Sequence, residues 1–140
     1  MTSESPETRK KLDRINDWLK AIYQEETLIS DLLTRLGLPE HDIERIKRHH
    51  VSEFVAQLLV YIQSCTHGQD GKRRHLIMLR YLGLLDGNTE TLQSIADDLL
   101  LSRERIRQLR NKRLMYFRRQ KQKTALEAEL CAIAKRLLDE

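Results

Sequence analysis

From Ser102 to Arg113 the chain reads Ser-Arg-Glu-Arg-Ile-Arg-Gln-Leu-Arg-Asn-Lys-Arg, an arginine-rich run with hydrogen-bonding side chains at helical spacing. These side chains share a chemistry. An arginine fork donates two hydrogen bonds to O6 and N7 of guanine, a glutamine matches N6 and N7 of adenine, and a glutamate accepts from N4 of cytosine. Arg103, Glu104 and Gln108 stand near the front of the run, where they could read base edges in a DNA major groove. Arg105, Arg107, Arg110, Lys112 and Arg113 surround them. Those cations suit phosphate oxygens, which add salt-dependent affinity but no sequence preference.

Such readout needs a rigid helix held at a fixed angle. Across residues 91–119 an apolar stripe runs through Leu92, Ile95, Ala96, Leu99, Leu101, Ile106, Leu109, Leu114 and Phe117. Its spacing predicts two helices with a tight turn at Leu99-Leu100-Leu101. Thr91 suits the N-cap of the first helix and Ser102 that of the second. Arg105 falls where the glutamate of a capping box would be, so that box is absent. The pattern is that of a helix-turn-helix, in which the first helix braces and the second enters the major groove. No glycine or proline follows Ser102. The second helix therefore either continues to about Leu138 or breaks in the polar segment 120–124. Beyond it, Leu126, Leu130, Ile133 and Leu137 form a short heptad-like seam, suited to the N-terminal helices or to a second subunit.

The segment resembles region 4 of bacterial sigma factors, the part that reads the promoter −35 element. Residues 102–108, Ser-Arg-Glu-Arg-Ile-Arg-Gln, resemble the start of that family's recognition helix. Thr91-Leu92 followed by Ile95-Ala96 matches its first helix, and Arg80, Gly83 and Leu84 match the stretch just upstream. The likeness covers roughly residues 74–119 and does not extend to the first seventy residues. It implies an all-α fold in which Arg103, Glu104 and Gln108 contact bases. Ser102, Arg105, Arg107, Arg110, Lys112 and Arg113 would then meet phosphates, joined by Arg73, Arg74 and Arg80 from the preceding helix. The chain departs from the family at Arg110, where glutamate is usual, at Arg113, where a small residue is usual, and at Leu100, where a small or polar residue is common. The first two departures add positive charge beside the groove.

The rest of the sequence sets the frame. Charged residues make up 33% and aromatics 5%, with five glycines and two prolines, so a leucine- and isoleucine-based helical core is expected rather than a sheet. Ser5-Pro6 reads as an N-cap followed by a first helix to about Glu25, with Leu12, Ile15, Leu19 and Ile22 inward. A second helix over about Thr27–Leu36 ends at Gly37, and Pro39 opens a third. A fourth, Val51–Ser64, has a wide apolar stripe through Val51, Phe54, Val55, Leu58, Leu59 and Ile62. The polar, glycine-bearing stretch 66–71 suggests a boundary between an N-terminal helical part, residues 1–65, and a DNA-binding part, residues 72–140. A fifth helix from near Lys72 would turn Leu76, Leu79 and Leu82, with Ile77 and Met78 beside them, to its buried side.

Charge follows the same division. Residues 72–123 hold fourteen basic and five acidic side chains, a net of +9, within a chain whose net charge is +4. Basic charge concentrates where the helix-turn-helix lies, as a nucleic-acid footprint should.

Several functions are disfavoured. No nucleophile elbow, phosphate loop or pair of catalytic carboxylates appears, so no enzyme is expected. Cys65 with His49, His50, His67 and His75 lacks zinc-ligand spacing, so no metal or cofactor is expected. Cys65 and Cys131 read as reduced thiols. No apolar run is long enough for a membrane span or a signal core, so a cytoplasmic protein is expected. At this length the other regions of a full sigma factor are not expected. The expectation is an all-α, sequence-specific DNA-binding transcription regulator, homodimeric through its surplus apolar stripes. The alternative is an interaction module for RNA polymerase or a sigma factor, acting without specific DNA readout.

Overall fold

The computed structural model describes residues 5–68 and 71–139 and contains eight α-helices and no strand among them. They are α1 (Pro6–Tyr23), α2 (Ile29–Arg35), α3 (Glu40–His49), α4 (Val51–Ser64), α5 (Gly71–Leu82), α6 (Leu92–Leu99), α7 (Arg103–Phe117) and α8 (Gln120–Leu138). The all-α expectation holds. Gln69 and Asp70 of the expected linker lie outside the described residues.

Helix ends follow the sequence chemistry. Ser5 caps α1, its Oγ accepting from the Thr8 N–H at 3.1 Å, with Pro6 in the first turn. α5 starts where only glycine fits, because a Cβ on Gly71 would lie 2.1 Å from the Thr66 carbonyl oxygen.

Two apolar clusters organise the molecule. The larger joins Ile15, Trp18, Leu19 and Ile22 of α1 to the Phe54–Ile62 face of α4, the end of α7 and the inward face of α8. The smaller consists of Ile77, Ile95, Ala96, Ile106 and Leu109, and fixes α6 and α7 against α5. α5 lies between them, with Ile77 in one cluster and Met78 and Leu79 in the other. This sandwiched position corrects one residue of the expected inward face of α5, Leu76. Ile77 and Met78 are fully buried, whereas Leu76 is exposed.

The long C-terminal helix is two helices. The chain turns at Arg118 and Arg119, because Phe117 is drawn into the larger cluster and Arg118 Nε donates to the Ala21 carbonyl at 2.9 Å. α8 then runs back along α3 and α4. Leu126, Leu130, Ile133 and Leu137 are buried within the protomer, as is the whole Val51–Ile62 stripe of α4. The apolar surfaces that suggested a homodimer are thus covered by the chain itself.

The N-terminal helices also brace the loop that precedes α6. Arg14 Nε donates to the Gly87 carbonyl at 3.1 Å, Lys10 Nζ donates to Asn88 Oδ1, and Gln63 Nε2 donates to the Leu84 carbonyl at 2.9 Å.

Candidate nucleic-acid interface

Thr91 Oγ1 accepts from the Ser94 N–H and Ser102 Oγ from the Arg105 N–H, each at 3.0 Å, so both expected caps start their helices. Between the helices, Leu100 adopts a left-handed conformation with φ of +58°, and the N–H of Leu101 returns to the Ala96 carbonyl at 3.1 Å. Leu100 is 90% exposed. It is an apolar side chain on a backbone that favours glycine, and it packs on nothing.

α7 buries Ile106, Leu109, Arg113, Leu114 and Phe117. Its outward face carries Glu104, Gln108 and Met115, spaced four and seven residues apart, with Arg103, Arg105 and Arg107 alongside, all exposed. Arg103, Glu104 and Gln108 therefore share the leading end of an exposed helix. Arg107 forks onto Glu104 through Nη2 at 2.6 Å and Nε at 2.9 Å, and this pairing holds the Glu104 carboxyl below its ordinary range. Glu104 is thus an ionised acceptor, the state that a cytosine amino group requires. Arg105 Nη1 donates to Gln108 Oε1 at 3.4 Å.

The remaining expected contacts divide. Arg73, Arg105, Arg107 and Lys112 are exposed, and Arg74 is half-buried. Ser102 is exposed, with its Oγ engaged as the cap. Arg110 is half-buried, its guanidinium 4.5 Å from the Tyr81 ring centre and bonded to Asn111 Oδ1. Arg80 is only 14% exposed and is held by Glu90, at 2.8 and 2.9 Å, and by Asp98, at 2.7 Å. It ties the end of α5 to the following loop and to α6, and is not free for a phosphate.

Arg113 is a correction. Its side chain is 2% exposed, beneath the surface on which the sequence placed it. Nε donates to His75 Nδ1 at 3.2 Å, Nη1 to the His67 carbonyl at 2.7 Å, and Nη2 to the Cys65 carbonyl. The guanidinium also sits 4.3 Å from the Tyr116 ring centre and 5.0 Å from that of Phe117. It is a structural arginine that gathers the α4–α5 connection onto α7. The sequence contains a signal for this. Residues 106, 109, 113 and 117 fall on one helical face, so Arg113 occupies an apolar-stripe position.

His75 completes this buried pair and was also missed. Nδ1 accepts from Arg113, so the ring proton sits on Nε2 and is donated to the Ile62 carbonyl at 2.6 Å. Burial, reinforced by the Arg113 charge, pushes its pKa down to about 4. Cys65 and Cys131 are free and half-buried. No group of histidine, cysteine and carboxylate side chains suited to a metal ion occurs among the described residues.

The helices, their turn and their small core cover the stretch that matches a protein-family model, sigma-70, region 4, at residues 70–118. This part of the chain is a sigma region 4-like helix-turn-helix. The match spans about a third of the sequence and begins where α5 begins. The matched stretch takes in α5, α6 and α7, whereas α1–α4 and α8 lie outside it. No curated protein and no solved structure matched the chain. No described helix is long and apolar enough to cross a membrane.

Proposed function

We propose that this protein is a sequence-specific DNA-binding regulator of transcription that lays α7 in the major groove. Arg103, Glu104 and Gln108 read base edges, while Arg74, Arg105 and Arg107 hold the flanking phosphates. The observation that carries this reading is the exposed leading end of α7, capped by Ser102 and fixed on α6 by its own apolar core. The region 4 match supports it, because it aligns the same helices. A DNA target implies a cytoplasmic protein. A homodimer draws no support from the α4 and α8 stripes, which are buried within the protomer.

Selection of duplexes from a random library by the full chain, followed by the same measurement on Arg103→Ala, tests the reading. Loss of a bidentate contact should cost about 1–3 kcal/mol on the preferred duplex and relax one base position. An unchanged preference in a protein with an unchanged melting temperature would refute it. The rival reading, an RNA polymerase- or sigma-binding module, is favoured by the exposed Leu100. It requires co-purification with polymerase and no preference among duplexes.

A further inference from the structure

The far end of α7 has an organisation that base readout does not use. Residues 105–126 contain nine lysines and arginines and no acidic residue, and residues 71–85 contain four and none. The fold brings the ends of these runs together. α5 lies antiparallel to α7, since Arg110 meets Tyr81 and Arg113 meets His75. The first turn of α5 is therefore beside the end of α7, and α8 begins there too.

Several arginines elsewhere meet carboxylates. Arg14 meets Asp17, Arg35 meets Glu25, Arg80 meets Glu90 and Asp98, and Arg107 meets Glu104. Lys72, Arg73, Lys112, Arg119 and Lys121 are exposed, and no ion pair joins them to a carboxylate among the described residues. Lys72, Arg73 and Lys121 also lie in the opening turns of α5 and α8, which contain no acid. Like charges gathered at helix N-termini oppose the helix dipole and one another, a cost that a polyanion removes.

We infer that these five cations form a second phosphate-binding surface, through which one protomer grips duplex DNA along the whole of α7. The inference rests on the DNA reading above and extends it. A helix of 15 residues is about 22 Å long, whereas the major groove is about 12 Å wide. With its leading end among the bases, α7 carries its far end out over the neighbouring backbone. Affinity then comes from counterion release within one protomer rather than from a two-fold partner.

The test is a full-chain variant with Lys72→Gln, Arg73→Gln, Arg119→Gln and Lys121→Gln together. Its affinity is measured against salt on the selected duplex and on a random one. Each lost contact should flatten the log–log salt slope by about 0.9, so the four together by about 3–4. Both duplexes should be affected equally, with base preference and melting temperature retained and one protomer per site. A slope within about one of wild type, or two protomers per site, would overturn the inference. Arg103→Ala run alongside separates the two ideas. If it loses preference while the fourfold variant keeps the wild-type slope, the second surface fails and the reading stands. If preference survives Arg103→Ala but the fourfold variant flattens the slope, the reading fails and the phosphate surface stands.

Discussion

Acid should unfold this protein through one imidazole. His75 is neutral in the fold and wedged between the Ile62 carbonyl and the Arg113 guanidinium, with its pKa pushed down to about 4 by burial first and by the Arg113 charge as well. In the unfolded chain a histidine titrates near about 6.5. Between those values the unfolded chain holds a proton that the folded one excludes. Stability is therefore complete above about pH 6.5 and is lost as the pH falls towards 4. At about 1.36 kcal/mol per pH unit the full loss is about 3 kcal/mol, with about 1.4 kcal/mol gone by pH 5.5. That is a large share of the roughly 5–15 kcal/mol of a typical domain.

The assay is urea unfolding of wild type and His75→Gln from near-neutral pH to about pH 4.5. The glutamine amide can donate to Ile62 and accept from Arg113, but it does not titrate. Carboxylates common to both proteins cancel in the difference. Wild type should lose about 1.4 kcal/mol more than the variant between pH 7.5 and 5.5. Parallel pH profiles would show that the buried imidazole is not excluding a proton, and the account of the Arg113–His75 pair would fall with it.

Two further outcomes follow from single side chains. Arg80→Gln removes a fork held by Glu90 and Asp98; it should cost about 1–2 kcal/mol in thermal unfolding and leave the salt dependence of DNA binding unchanged, whereas a phosphate-contacting arginine would flatten it. Leu100→Gly relieves a left-handed backbone at a side chain that buries almost nothing and should raise stability by up to about 1 kcal/mol; a lower melting temperature would show that Leu100 makes contacts in the fold.

Much of the fold could be read from periodicity and caps. The fourth helix was expected at Val51–Ser64 and is found there, and Thr91 and Ser102 cap the helices they were assigned to. These signals are local: a hydroxyl one residue before an apolar repeat fixes a helix start whatever surrounds it. What the sequence left open depends on distant packing. The apolar repeat of Leu126–Leu137 is the same whether it meets α3 and α4 or a second subunit, and only the turn at Arg118–Arg119 settles that it folds back. Leu76 of α5, expected inward, is exposed for the same reason. α5 lies between two clusters that take up Ile77, Met78 and Leu79, and neither covers Leu76.

The arginines show where charge counting stops being informative. A net of +9 over residues 72–123 located the basic face correctly but could not say which cations lie on it. Arg113 occupies a stripe position, and its fork has three acceptors within reach, two of them loop carbonyls. Burial of a guanidinium is tolerable only where each of its nitrogens is given an acceptor in this way. Arg80 has its three bonds to two carboxylates. Both are absorbed into the scaffold. Arg119 and Lys121, which no motif singled out, have no carboxylate partner among the described residues and remain at the surface. The side chains available to an anion are those the fold has not drawn into its scaffold. Electrostatic recognition by this protein should therefore follow the exposed cations along α7, rather than the density of basic residues in its sequence.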